Sequence, residues 1–260
     1  MDEELLYEVR DGIARITLNR PQARNALTFG MYERLAEICT GIETDDTVKV
    51  LLITGSGDRA FAAGTDVSQF RTFTAPEDAI AYEQRIDRVL GTLERCRVPT
   101  IAAIAGACTG GGAGIAAACD LRIGAANARI GFPIARTLGN CLSMSNYARL
   151  SALIGPARVK DMIFTARLLD AAEAHAIGLL TEIVPEPAAL LPRAEELART
   201  IAGHAPLTLR ATKMALHRLQ QGGAGADEGR DLILMCYMSR DFREGVEAFL
   251  DKRPPVWRGE

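Results

Sequence analysis

The stretch from Thr100 to Asp120, TIAAIAGACTGGGAGIAAACD, leaves the chain few folds to choose from. Apolar, β-compatible residues up to Ile104 lead into Gly110-Gly111-Gly112, and an alanine-rich segment follows before Asp120. The pattern predicts a buried strand, a glycine turn and a small-residue helix starting near Gly112. Glycine suits backbone that must approach something a Cβ would block. A helix start presents unpaired N–H groups and partial positive charge, so the turn suits an oxygen that carries or develops negative charge.

Three other readings compete for the same residues. Val98 to Cys119 holds no charge, and Gly106, Gly110 and Gly114 form overlapping GxxxG motifs, as in a dimerising transmembrane helix. Against this, large apolar residues are few, and each glycine costs a helix about 1 kcal/mol relative to alanine. Gly112-x-Gly114-x-x-Ala117 fits a loose dinucleotide fingerprint, but Phe132 stands where the acidic residue of that motif is needed. The last reading is a helix of small residues packed tightly on a sheet.

At 260 residues, 48% hydrophobic and 24% charged, the chain has ample material for a core and the balance of a globular enzyme. A net charge of -3 gives no footprint for nucleic acid or an anionic membrane. The acidic start, MDEELLYEV, has no apolar segment of the signal-peptide kind, so a cytoplasmic location is expected. Cys39, Cys96, Cys108, Cys119, Cys141 and Cys236 are scattered, which predicts neither a disulfide framework nor a zinc ribbon. His175, His204 and His217 lack metal-ligand spacing, and no metal is expected.

In chain order, residues 4 to 19 read as a hairpin turning at Asp11-Gly12. Thr28 caps a helix with Met31, Leu35, Ile38 and Ile42 at helical spacing, and Val48 to Thr54 is a strand buried on both faces. Residues 58 to 66 read as a loop, and Pro76 opens a helix carrying Ile80, Ile86, Val89, Leu90 and Leu93. Two short strands, 121–125 and 128–132, follow the glycine stretch, so a strand-strand-helix unit recurs. After Pro133 the pattern is helical to the end, with a break near Ser239 and a flexible loop from Gln221 to Gly229. The change of pattern suggests a core over 1–190 and a helical region over 191–260.

Several stretches together carry a likeness. NRPQARNAL (19–27), AFAAGTD (60–66), IAGACTGGGAGIAAACD (104–120) and EGVEAFLDKRPP (244–255) occur in the order and spacing of one family. The chain resembles the crotonase, or enoyl-CoA hydratase/isomerase, superfamily over essentially its whole length. The resemblance implies an α/β spiral of ββα units followed by helices that build a homotrimer, often paired into a hexamer. It implies an acyl-CoA thioester as ligand, with coenzyme A entering as part of the substrate and no separate cofactor. Matched residue by residue, it places the thioester oxygen against the backbone N–H groups of Thr65 and Gly111. It assigns Gln22, Ala23 and Arg24 to the adenine pocket, Ala63 and Val67 to the pantetheine, and Phe249 and Lys252 to a C-terminal clamp.

The likeness breaks where a hydratase needs its chemistry. The two glutamates of the family's hydratases fall at Gly114 and Ile134, and neither residue moves a proton, whereas water addition needs a positioned acid and base. The segment after Pro133 offers Arg136, Asn140, Cys141, Ser143 and Tyr147 in their place. Arg136 is the first choice, because it would pair with a carboxylate-bearing acyl group whose decarboxylation needs no base. Asp66 is read as a helix cap. These residues point to an acyl-CoA lyase or isomerase working through a thioester enolate. A crotonase-like acyl-CoA-binding protein without catalysis is the second reading.

Overall fold

The computed structural model describes residues 3–222 and 229–260, so most of the loop expected to be flexible lies outside the described residues. β1 (Leu5–Arg10) and β2 (Ile13–Leu18) form the hairpin; Asp11 and Gly12 both have positive φ, as its two-residue turn requires. Next come α1 (Phe29–Ile42) and β3 (Val50–Gly55), followed by β4 (Ala60–Ala62) and α2 (Pro76–Glu94). The opening stretch divides into β5 (Thr100–Ile104), β6 (Ala107–Thr109) and α3 (Gly111–Ala118), and β7 (Leu121–Ala125) and β8 (Arg129–Gly131) follow.

The strands form two sheets. A six-stranded sheet runs β1-β2-β3-β5-β7-β10, and a four-stranded sheet runs β4-β6-β8-β9, where β9 is Leu169–Asp170 and β10 is Glu182–Val184. Each turn of chain therefore gives one strand to each sheet: β3 and β4, then β5 and β6, then β7 and β8. Pairing within these three turns is parallel in both sheets, which winds the chain into a spiral. Alternation along the strands builds a core on each face of the large sheet. Leu51, Ile53, Ala102 and Ile104 face α1 to α3, whereas Val50, Leu52, Ile101 and Ala103 face the opposite way.

The two strands of a turn meet at a corner that only glycine makes. Gly106 has φ +64, and a Cβ there would stand 2.2 Å from the Arg59 carbonyl oxygen. The next corner is held from below by Arg122, which is buried and donates to the carbonyls of Cys119 and Ala116 at the C-terminal end of α3. That end of a helix favours a cation.

The remaining helices are α4 (Ile134–Thr137), α5 (Met144–Ile154), α6 (Pro156–Phe164), α7 (Ala171–Ala176), α8 (Pro187–Ala202), α9 (Pro206–Gln220), α10 (Arg230–Tyr237) and α11 (Arg240–Leu250). Ser239 caps α11 by accepting from the Phe242 amide, so the break falls where Ser-Arg-Asp predicted it. The purely helical second half is corrected by β9 and β10. Both are too short to show alternation, yet β9 extends the small sheet and β10 completes the large one. The change of organisation expected at residue 190 falls inside α8, whose Leu190, Ala194 and Ala198 pack on the large sheet.

The unbroken helix required by a transmembrane reading is absent, because the stretch splits into two strands and an eight-residue helix. Among the described residues no helix is long and apolar enough to cross a membrane. Gly106→Ala is expected to destabilise the fold by more than about 2 kcal/mol, from a strained φ and a backbone clash together. Urea denaturation measures this; a loss below about 1 kcal/mol would mean that the corner relaxes around a methyl group.

Candidate active site

A cavity of about 280 Å³ opens where the C-terminal ends of β4 and β6 meet α2 and α4. Ala63, Gly64, Thr65 and Val67 line it from the loop after β4, and Gly110 and Gly111 line it from the turn after β6. An isolated bridge pairs Leu27 with Thr65 and uses the amides of Leu27 and Asp66, so the Thr65 N–H stays out of the pairing. Gly110 is the residue before α3, with φ 52 and ψ -120 and no side-chain cap on the helix start. Gly111 is the first helical residue, where an amide has no partner within the helix. Among the described residues neither the Thr65 nor the Gly111 amide donates a hydrogen bond.

The side chains around these amides were not foreseen. Thr65 Oγ1 lies 2.9 Å from the Tyr32 hydroxyl of α1 and 2.9 Å from the Tyr82 hydroxyl of α2. Tyr32 is fully buried, and a Cβ on Gly111 would stand 1.9 Å from its oxygen. Burial holds both phenols above their ordinary range, so they stay protonated and serve as neutral hydrogen-bonding groups. Phe70 packs edge-on against Tyr82, with ring centroids 4.9 Å apart, and closes this side of the cavity.

Gly114 and Ile134 both line the cavity, so the two positions left without a titratable group do face one space. The space at Gly114 is partly taken: a Cβ there would meet Leu90 Cδ1 at 3.2 Å. Arg136 does not line the cavity. Ile134 and Thr137, three residues apart, present the same face of the single-turn α4, and Arg136 between them is exposed to solvent. Of the other candidates, Asn140 lines the cavity, whereas Cys141 is exposed and Ser143 caps α5 and donates to Asp87 at 2.5 Å. Tyr147 packs against the core, and its oxygen lies 3.5 Å from the Leu142 amide.

The segment before α1 is pinned beside this site. Asn25 is buried and donates to the carbonyls of Ser56 and Ala60, and the Arg24 carbonyl accepts from the Ala63 amide. Gln22 and Ala23 lie in the 3-10 turn Pro21–Ala23 just ahead of it. Asp66 caps the 3-10 turn Val67–Thr72 and pairs with Arg20 at 3.0 Å. Hydrogen bonds from Ser68, then Arg20, hold its carboxyl below the usual range. The structure therefore brings Gln22, Ala23, Arg24, Ala63, Val67, Thr65 and Gly111 to one end of the spiral. It does not bring Phe249 or Lys252 there within the chain. Phe249 is 83% exposed and borders a separate, largely apolar cavity with Phe242 and Trp257, and Lys252 follows on the exposed end of α11.

Glu83 is a titratable group on the cavity wall that the sequence motifs do not single out. It lines the cavity from α2, half-buried, on the stripe that continues through Ile86 and Leu90. Burial, and then the nearby Asp87 charge, raise its carboxyl above the usual range, while the Ser143 amide partly offsets them. The available signal was position: three and seven residues before the buried Ile86 and Leu90, a carboxylate shares the apolar face of the helix. No three His, Cys, Asp or Glu side chains gather as a metal would need among the described residues.

Comparison with known proteins follows the same outline. The family model for enoyl-CoA hydratase/isomerase matches residues 8–260. A crotonyl-CoA hydratase of Syntrophomonas wolfei is 34% identical over 259 residues, covering 96% of each chain. The crystal structure of an enoyl-CoA hydratase/carnithine racemase from Magnetospirillum magneticum has a TM-score of 0.93 at 32% identity, covering 100% of this chain and 97% of that one. An enoyl-CoA hydratase from Bacillus anthracis gives 0.89 at 31% identity, with 99% and 100% covered.

The raised Glu83 carboxyl gives a stability test that needs no substrate. A carboxyl whose folded pKa lies above its unfolded value, about 4.3, contributes stability below that value and loses it as pH rises through the folded pKa. Glu83→Gln removes this loss. Stability of E83Q relative to the parent should therefore rise from about pH 4 to pH 7, read by urea denaturation. A difference independent of pH would mean that Glu83 is solvated like a surface carboxylate.

Proposed function

This chain belongs to the enoyl-CoA hydratase/isomerase family, and on that premise we propose that it acts on acyl-CoA thioesters by stabilising an enolate. The observation that carries the reading is the pair of unpartnered amides, Thr65 and Gly111, on one cavity. Removing a proton or CO2 from the carbon next to a thioester moves negative charge onto its oxygen. Two fixed N–H donors meet that charge without reorganising, and the loss of one such donor costs on the order of 3 kcal/mol. The tyrosine and threonine hydroxyls behind the amides hold the two loops in place as the charge develops.

The reaction is an isomerase or lyase reaction rather than ordinary hydration. Gly114 and Ile134 give the cavity no acid/base pair for water, although a crotonyl-CoA hydratase is among the relatives. The exposed position of Arg136 weakens decarboxylation of a carboxylate-bearing acyl group, since a pairing cation would have to reach in from outside the cavity. A trimer or hexamer belongs to the same reading. It is supported by large apolar side chains left exposed on α10 and α11, among them Leu234, Tyr237 and Phe249. In such an assembly Phe249 and Lys252 would serve a site other than the one in their own chain.

The amide is tested in a background that can hold the change. Gly111→Pro removes the N–H at a first helical position, which tolerates proline, but its ring would strike the Tyr32 hydroxyl. In a Tyr32→Phe background that oxygen is gone. Turnover by the Y32F/G111P protein should fall on the order of 100-fold or more below Y32F alone. The assay is mass spectrometry of products from crotonyl-, 3-hydroxybutyryl- and malonyl-CoA. Equal turnover would remove Gly111 from the mechanism, and binding of all three thioesters without any product would favour the acyl-CoA-binding protein instead.

A further inference from the structure

Resting on the enolate reading above, we propose that Glu83 is the catalytic acid/base of this site, taking over from α2 the proton transfer that Gly114 of α3 cannot perform. Elimination leads to it first. Among the described residues that line the cavity, only Tyr82 and Glu83 carry a titratable side chain. The Tyr82 phenol is held above its ordinary range and shares its hydrogen bond with Thr65, so it cannot act as a base near neutrality. Glu83 is the one carboxyl on the wall. The other polar liners, Thr65, Thr109, Thr137, Asn140 and Asn146, are neutral and fit to orient an acyl group or a water rather than to take a proton.

Position supports the same assignment. Along α2, Tyr82 reaches the Thr65 hydroxyl, Ile86 follows one turn on, and Leu90 reaches the place where a side chain on Gly114 would start. Glu83 therefore lies on the α2 wall of the cavity, next to Tyr82, whose hydroxyl meets Thr65. Leu90 is the α2 residue that meets the space at Gly114, and Glu83 lines the same cavity two turns earlier on that helix. No arginine or lysine among the described residues forms an ion pair with Glu83, so its charge is not committed to a structural bridge. Asp87, its neighbour one turn on, is occupied by the Ser143 hydroxyl. A half-buried carboxyl in a cleft, free of any ion pair and accepting from the Ser143 amide, with its affinity for a proton increased, suits a general base.

The step balances without a further reactant. A Glu83 carboxylate oxygen takes the proton from the carbon next to the thioester. The C–H electron pair forms the new C=C bond, and the carbonyl π pair moves to the thioester oxygen between the Thr65 and Gly111 amides. The protonated Glu83 then returns a proton to the same carbon or, in an unsaturated thioester, to the carbon two positions along. The second course is a double-bond shift. One carboxyl completes it, whereas water addition calls for a second group, so a single carboxyl favours isomerase chemistry.

The test uses butyryl-CoA in D2O, with loss of the α-proton signal followed by NMR and binding measured by calorimetry. The wild-type protein should bind butyryl-CoA and exchange its α protons. E83Q should bind it equally but exchange on the order of 100-fold more slowly, within the range of general-base effects. Glu83→Ala should show the same loss, and added formate should restore exchange in proportion to its concentration, which a packing role for Glu83 would not produce. Exchange by E83Q at the wild-type rate would overturn the assignment and leave the enolate reading standing. Binding by the wild-type protein without exchange would also overturn it. A wild-type protein that fails to bind butyryl-CoA, crotonyl-CoA or malonyl-CoA would instead remove the acyl-CoA reading on which it rests.

Discussion

A single hydroxyl ties the site together. Thr65 Oγ1 bridges Tyr32 of α1 and Tyr82 of α2, and the Tyr32 oxygen in turn occupies the space that any side chain on Gly111 would need. Four separate elements meet at this point. The bond network is partly buried, with Tyr32 fully so, and each of its hydrogen bonds contributes about 1 kcal/mol. It fixes both loops whose amides remain unpaired. Threonine at position 65 therefore does more than leave a backbone N–H in place. Its side chain is the joint between the helices and the glycine turn.

Around this joint the molecule divides its labour. One wall of the cavity is glycine-rich backbone that carries two unpaired amides. Another is the face of α2, which presents side chains. The half-buried Glu83 belongs to this second wall, as do Ile86 and Leu90. Binding and proton transfer are then separable properties of the sequence. A chain can keep the first wall unchanged and alter its chemistry through a few positions on the second.

The backbone half of this arrangement was legible in the sequence, because glycine and short apolar strands leave strong local signals. The triplet Gly110-Gly111-Gly112, the Thr28 and Ser239 caps and the buried run of β3 all fall where their chemistry predicts. The fold class named from the motifs, an α/β spiral of ββα units with helices after it, is the one found. What stayed hidden depends on contacts distant in sequence. β9 and β10 have two and three residues, too few for a period, and exist only because a sheet edge waits for them. Arg136 was favoured by its nearness to Ile134, but one helical turn was enough to aim it elsewhere. Glu83 leaves no mark in any motif, because its place on the cavity follows from how α2 packs and not from its neighbours in sequence.

The spiral also sets a ruler. Thr65 follows β4 and Gly111 follows β6, and these strands are paired neighbours in the small sheet. The ladder, whose strands lie about 4.8 Å apart, brings the two loops alongside each other, and the hydroxyl network sets the amides within that frame. Substitutions can repaint the walls of such a pocket, yet the two strands beneath its loops keep the spacing of their shared ladder.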